Sequence, residues 1–185
     1  TDGSGQGIRQ NLSRARQLLK EAGWEMGKSG VLEKNGQPLK FEFLSYSESF
    51  ERWINPWIAN LKKLGIDARL RIVDAAQFQN RVQDFDFDMT ITTFAQSLSP
   101  GNEQRDFWRS DKADAKGIRN MVGIKDPVVD DLIGKIVQAK DREELVALTH
   151  ALDRVLLWGN YVIPNWYINY HRVASWDKFA RPAIT

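Results

Sequence analysis

At 185 residues, 42% of them hydrophobic and 27% charged, the chain has the length and composition of one well-packed globular domain. Its 26 Lys and Arg stand against 24 Asp and Glu, a formal charge of +2 with the signs interspersed, which excludes the concentrated basic face that nucleic-acid binding requires. The lack of cysteine excludes disulfides, thiol catalysis and Cys-built zinc sites, and no apolar run approaches the ~20 residues of a membrane span.

The chain opens Thr1-Asp2-Gly3-Ser4-Gly5, without initiator Met or signal peptide, as an excised or processed piece would. Residues 1–10 read as a flexible, Gly-rich lead-in. From Asn11, Leu12, Ala15, Leu18, Leu19 and Ala22 share one helical face, with Gly23 placed to stop the helix. Two short strands are predicted around Asn35-Gly36, followed by a strand in which Leu39, Phe41 and Phe43 alternate with charges. Phe50, Trp53, Ile54, Trp57, Ile58, Leu61 and Leu64 mark an amphipathic helix ended by Gly65. Pro56 within it predicts a kink, or a start with Pro56 in the first turn, and Trp53 and Trp57 fall on its apolar face as core residues.

Ile66–Val73 alternates as a strand, Ala75–Val82 reads as a short helix, and Phe87–Phe94 as another strand. The stretch 95–123 has no sustained period and is long for a plain connection, which points to a functional loop. Asp126-Pro127 then caps a helix with Val129, Leu132, Ile133, Ile136 and Val137 inward. Asp141 caps a second, with Leu145, Leu148, Leu152, Val155 and Leu156 inward and Gly159 at its end. Tyr161–Val173, rich in aromatic and β-branched residues, reads as extended. Helices alternating with strands give an α/β layered fold.

The order of these signals resembles a known family. Ala15-Arg-Gln-Leu-Leu-Lys-Glu-Ala-Gly-Trp24 resembles the helix that opens the second lobe of family 5 solute-binding proteins, the oligopeptide and dipeptide binders of ABC importers. Asn60-Leu-Lys-Lys-Leu-Gly-Ile66 with its following strand, Phe85-Asp-Phe-Asp-Met89, the run from Asn120 to Ile133 and Ile163-Pro-Asn-Trp-Tyr167 are similar to the family's next landmarks. These segments cover residues 11–182 and lean towards the branch associated with microcin C and peptide uptake. The resemblance implies a periplasmic-binding-protein-like (type II) lobe, a mixed sheet flanked by helices. It implies residues 11–170 as the second, C-terminal lobe, and 171–185 as a tail returning to a first lobe that this chain lacks. It implies a monomeric binding protein without cofactor, periplasmic or extracellular and lipid-anchored. Such a protein hands a peptide or peptide-like solute to a membrane permease and is not an enzyme.

Ligands of open α/β sheets sit beyond the carboxyl ends of the strands, here just after Phe94. A peptide held by its backbone and termini needs hydrogen-bonding groups, a charge for its terminus and aromatic walls. The candidate ligand-binding residues are therefore Phe94, Gln96, Ser97, Ser99, Asn102, Glu103, Arg105 and Asn120, with Trp108 as a further apolar surface. Many relatives carry an amine-binding Asp in this loop. Here Ala95–Gln104 has none, and Glu103 is the candidate substitute. Against these roles stand solvated loop charges for Glu103 and Arg105, and a loop-holding role for Asn120.

A second class of function is a carbohydrate-active enzyme or carbohydrate-binding module, suggested by seven Trp and by Asp84, Asp86 and Asp88 as paired carboxylates. A third is an interaction domain using the aromatic C-terminal segment, whose Trp166, Tyr167 and Tyr170 suit either a cleft wall or a buried strand. His150 and His171 have no ligand companions at metal-binding spacing, and no phosphate loop or nucleophile elbow is present.

Overall fold

Strand residues Lys40–Ser45 are covered on both faces at their carboxyl end, where Phe43, Leu44 and Ser45 are all buried, and this strand is the centre of the fold. The computed structural model describes residues 5–117 and 119–168, with Tyr170, Ala174, Trp176 and Lys178. The expected tail 171–185, apart from the last three of those residues, lies outside the described residues, as does His171. Helix α1 spans Gly5–Glu21, so the expected lead-in is helical from Gly5 and the helix starts six residues before Asn11. Strands β1 (Glu25–Met26), β2 (Leu32–Lys34) and β3 (Gln37–Pro38) form an antiparallel sheet turned at Asn35-Gly36, as the sequence predicts. Strand β4 (Lys40–Ser45), helix α2 (Glu51–Lys62), strand β5 (Asp67–Ile72), helix α3 (Ala75–Gln83) and strand β6 (Met89–Thr90) form two successive β–α–β units. Their parallel sheet has the order β5-β4-β6.

Two glycines set the turns from helix to strand, Gly23 from α1 into β1 and Gly65 from α2 into β5. Gly23 and Gly65 adopt φ of +85° and +86°, where a side chain would be strained. At each, the N–H of the next residue returns to the carbonyl five positions back, Trp24 to Leu19 at 2.9 Å and Ile66 to Leu61 at 3.2 Å, the pattern of a Schellman stop. Pro56 is the sixth residue of α2 and leaves the Arg52 carbonyl without an intrahelical donor; the helix nevertheless runs unbroken from Glu51 to Lys62.

Strand β6 is two residues long where eight were expected. At its start, Asp88 Oδ2 accepts the Glu42 N–H at 2.8 Å, so a side chain occupies the donor that an earlier strand residue would have paired. At its end, the register Leu44↔Thr90 leaves β4 only Ser45 beyond the last pair, so β6 has at most one further position to pair. The chain therefore leaves the sheet at once. The stretch 95–123 contains α4 (Glu103–Trp108) and a 3-10 turn at Ser110–Lys112, both too short for periodicity to reveal. Helices α5 (Pro127–Gln138) and α6 (Arg142–Trp158) follow, each capped by the expected aspartate. The Asp126 carboxylate accepts the Val128 N–H at 2.8 Å, and that of Asp141 accepts the Glu144 N–H at 2.8 Å, satisfying otherwise unpaired first-turn donors.

Two apolar clusters result. In one, Phe43, Ala68, Ile54, Ile58, Leu64 and Ile66 pack beneath α1 and α2. In the other, Phe107 and Trp108 of α4 pack on Val129, Ile133 and Ile136 of α5 and Leu152 of α6. Trp57 is half-buried against Phe41 and Phe43, but Trp53 is 52% exposed and not core; its ring meets Trp166 at 5.5 Å. The helical pattern reports which face is apolar, and at Trp53 nothing lies over that face among the described residues save the segment 161–168, exposed from Ile163. That segment has no regular structure, with Trp166 and Tyr167 63% and 85% exposed, so the buried-strand reading of it does not hold. No described helix is long and apolar enough to cross a membrane. Ile133 is fully buried between α4, α5 and α6. Ile133→Ala should therefore lower unfolding free energy by about 3 kcal/mol in urea titrations, while Val128→Ala on the exposed face should change it by less than about 0.5 kcal/mol.

Candidate ligand-binding site

In the order β5-β4-β6 the first crossover runs to one side of β4 and the second to the other, so the chain parts at the carboxyl ends of β4 and β6. Crevices of open α/β sheets form at such a switch point. On the β4 side lies Ser45, whose hydroxyl accepts the Ser47 N–H at 3.2 Å, followed by Tyr46, which is half-exposed and stacked on Phe78 at 4.9 Å. On the β6 side runs Thr92–Ser99, largely exposed. Among the described residues, none of the backbone N–H groups of Thr92 to Gln96 makes a hydrogen bond to another backbone group.

A cavity of about 210 Å³ opens here, lined by Thr92, Thr93, Phe94, Ala95, Phe107, Arg119 and Met121. Its volume is below the several hundred Å³ of a whole small-molecule site, so it has the size of one subsite. A larger hollow of about 610 Å³ is lined only by residues between Glu48 and Pro56. One stretch of chain gives it one wall, and we do not regard it as the ligand site.

The predicted residues divide. Phe94 stacks on Trp108 at 4.6 Å and meets Phe107 edge-on at 5.5 Å, so it is both cavity wall and anchor of the second cluster. Gln96, Ser97, Ser99 and Asn102 are exposed on the loop; the Gln96 side-chain oxygen accepts from Gln104 at 2.7 Å, and the Ser97 hydroxyl accepts the Ser99 N–H at 3.1 Å. Arg105 is half-buried on α4, with its Nε unpaired.

Glu103 faces its own helix start. Its Oε1 accepts the Gly101 N–H at 2.9 Å and the Gln104 amide at 3.3 Å. Burial pushes its pKa up, but the N–H groups of Gly101 and of Glu103 itself, together with Gln104, outweigh that and hold the carboxyl below its ordinary range. Asn120 is corrected outright. It is fully buried, its amide donates to the carbonyls of Arg109 at 3.0 Å and Ile124 at 3.2 Å, and its oxygen accepts the Ile124 N–H at 3.1 Å. It closes the loop before α5 and has no surface to offer a ligand.

The aspartates form no acid–base pair. Asp86 is held by Arg81 Nε at 2.8 Å, the same guanidinium reaches Glu42 at 2.9 Å, Asp88 caps β6, and Asp84 pairs with Lys116. Asp86 and Asp88 hold junctions of the sheet, and Asp84 ties the end of α3 to the loop. The sequence reading passed over Thr92, Thr93, Arg119 and Met121. The threonines sit within a stretch read as strand, and nothing local ties residues 119 and 121 to position 92.

Residues 2–116 match the model of the bacterial extracellular solute-binding proteins, family 5 Middle. The chain belongs to that family. It is 51% identical over 181 residues to the uncharacterized protein y4wM of Sinorhizobium fredii, covering 97% of this chain and 27% of that protein. It is 50% identical over 175 residues to the probable peptide-binding protein YejA of Agrobacterium fabrum, covering 94% of this chain and 28% of that protein. Among solved structures it resembles the oligopeptide-binding protein AppA of Bacillus subtilis in complex with a nonapeptide. That match has a TM-score of 0.68 and 25% identity over 78% of this chain and 29% of AppA. The chain thus spans under a third of the length of the curated relatives it matches, and its fold is that of a type II periplasmic-binding-protein lobe.

Two predictions follow from the loop. Asn120→Ala strands the Ile124 carbonyl and N–H in the interior and removes one of the two donors to the Arg109 carbonyl, and should cost about 2–3 kcal/mol of stability by urea unfolding. Because the folded Glu103 carboxyl titrates below its unfolded range, its contribution is complete above that range and is lost as pH falls through the lowered folded value. Glu103→Gln should therefore destabilise the chain at pH 7, with the difference shrinking towards pH 3; a difference constant with pH would refute this role.

Proposed function

We propose that the chain is the ligand-gripping lobe of a peptide-binding protein that serves an ABC importer, without catalytic activity of its own. The observation that carries the reading is the unpaired backbone of Thr92–Gln96 at the switch point, in a chain of this family. An extended peptide can lie along unpaired donors as an added strand, with its side chains entering pockets such as the one beside Phe94. The exposed Gln96, Ser97, Ser99 and Asn102 supply adaptable polar contacts, and the half-buried Arg105 stands behind them. The names of the A. fabrum and B. subtilis relatives support peptide as the solute.

In this reading the whole protein stands outside the cytoplasmic membrane, periplasmic or lipid-anchored, and meets a permease there. Residues 11–170 form its second lobe, and residues 171–185 are the tail that returns to the first. Glu103 leaves one carboxylate oxygen for a ligand amine, a minor share beside its work at the helix start. The carbohydrate-enzyme reading loses its basis, since Asp86 and Asp88 are engaged at the sheet and Asp84 is paired with Lys116.

The test is thermal and urea unfolding of this chain with tri- to pentapeptides, and separately with oligosaccharides. A ligand at about 100 times its Kd stabilises the native state by about 2.7 kcal/mol. Stabilisation by peptides alone is expected; stabilisation by oligosaccharides alone would sink the peptide assignment.

A further inference from the structure

We propose that Arg119, with the hydroxyls of Thr92 and Thr93, forms a carboxylate-binding subsite that holds an acidic group of the ligand, its α-carboxylate or an acidic side chain. The inference rests on the peptide reading and narrows it to ligands that carry a negative charge at this position.

The cavity beyond β6 has one charged residue in its wall, and that residue is a cation. The guanidinium of Arg119 lies 5.4 Å from the centre of the Phe107 ring. Phe107 is itself 2% exposed and wedged against Phe94 and Trp108, so the surface under the guanidinium is rigid. A cation held over an aromatic face is positioned without using its hydrogen-bond donors. Among the described residues Arg119 has neither an ion pair nor a hydrogen bond. By contrast, Arg81, Arg109, Lys116 and Lys125 each pair with a carboxylate.

The planar guanidinium offers paired N–H groups in the fork that matches a carboxylate, and the Phe107 ring beneath it leaves those groups free. Thr92 and Thr93 bring two hydroxyls to the same cavity, and no side-chain hydrogen bond within the described residues uses them. Phe94, Phe107 and Met121 complete an apolar wall, which strengthens an ion pair relative to open water. A volume of about 210 Å³ accommodates a carboxylate on a short stem. A peptide laid along Thr92–Gln96 would carry such a group directly into it. An anchor for a ligand amine in this loop would be an acid, whereas this cavity presents a base.

The experiment is an amide and Arg Nε–Hε NMR titration of the isotope-labelled chain with N-acetyl-trialanine, as the free acid and as the C-terminal amide. The free acid should shift Thr92, Thr93, Met121 and the Arg119 Nε–Hε, and bind about fivefold or more tightly than the amide, the scale of one partly exposed charged hydrogen bond. Arg119→Gln should bring that ratio close to one while resonances elsewhere stay in place. Equal affinities for acid and amide in the unaltered chain would overturn the carboxylate subsite and leave the peptide reading standing. So would peptide-induced shifts confined to other parts of the chain. A spectrum unmoved by either peptide would overturn both.

Discussion

Strand β4 is the constraint on which the rest depends. It is central in a three-stranded parallel sheet, Leu44 within it is fully buried, and the first apolar cluster packs against its Phe43. Parallel strands require crossovers, and these bring α2 and α3 into the fold. Because β4 ends at Ser45, one residue past the Leu44–Thr90 pair, Thr92 and the residues after it have no part of β4 beside them, and their donors stay unpaired. The length of one strand thus decides where a ligand can lie.

Electrostatics sort the charged residues into those that hold the structure and those left for other work. Arg81 joins Glu42 of β4 to Asp86 ahead of β6, in a setting where its side chain is 20% exposed and so only partly screened by water. Asp88 replaces a strand hydrogen bond, and Asp84 ties α3 to the loop at Lys116. Glu103 holds the start of α4 as an anion. What remains around the cavity is a single unpaired guanidinium. The sign of the site follows from which charges the fold has already neutralised.

The second cluster supports the site from behind. Phe94 joins it on leaving the sheet, and through Phe107 and Trp108 the loop is coupled to α5 and α6. Asn120 fixes the loop's return with three hydrogen bonds at zero exposure. A buried, fully paired amide of this kind gives a loop a single conformation, because any alternative leaves polar groups unpaired in the interior. The loop that carries Arg119 is therefore built on packed aromatics and a satisfied amide, with regular secondary structure contributing little.

What the sequence determined by itself were the features encoded within a few residues of one another. The helix faces of α2, α5 and α6, the caps at Asp126 and Asp141, the stops at Gly23 and Gly65, and the Asn35-Gly36 turn are local chemistry, and all are present. The family was legible for the same reason, in short segments at fixed spacing. Tertiary structure alone decided that β6 is short, since the β4 residues it pairs with lie 46 residues earlier in the chain. It alone decided that Trp53 stays exposed, that Asn120 is buried, and that Arg119 meets Phe107 beside Thr92. Each of these depends on which distant element covers a residue or leaves it bare, and periodicity within one segment carries no record of that.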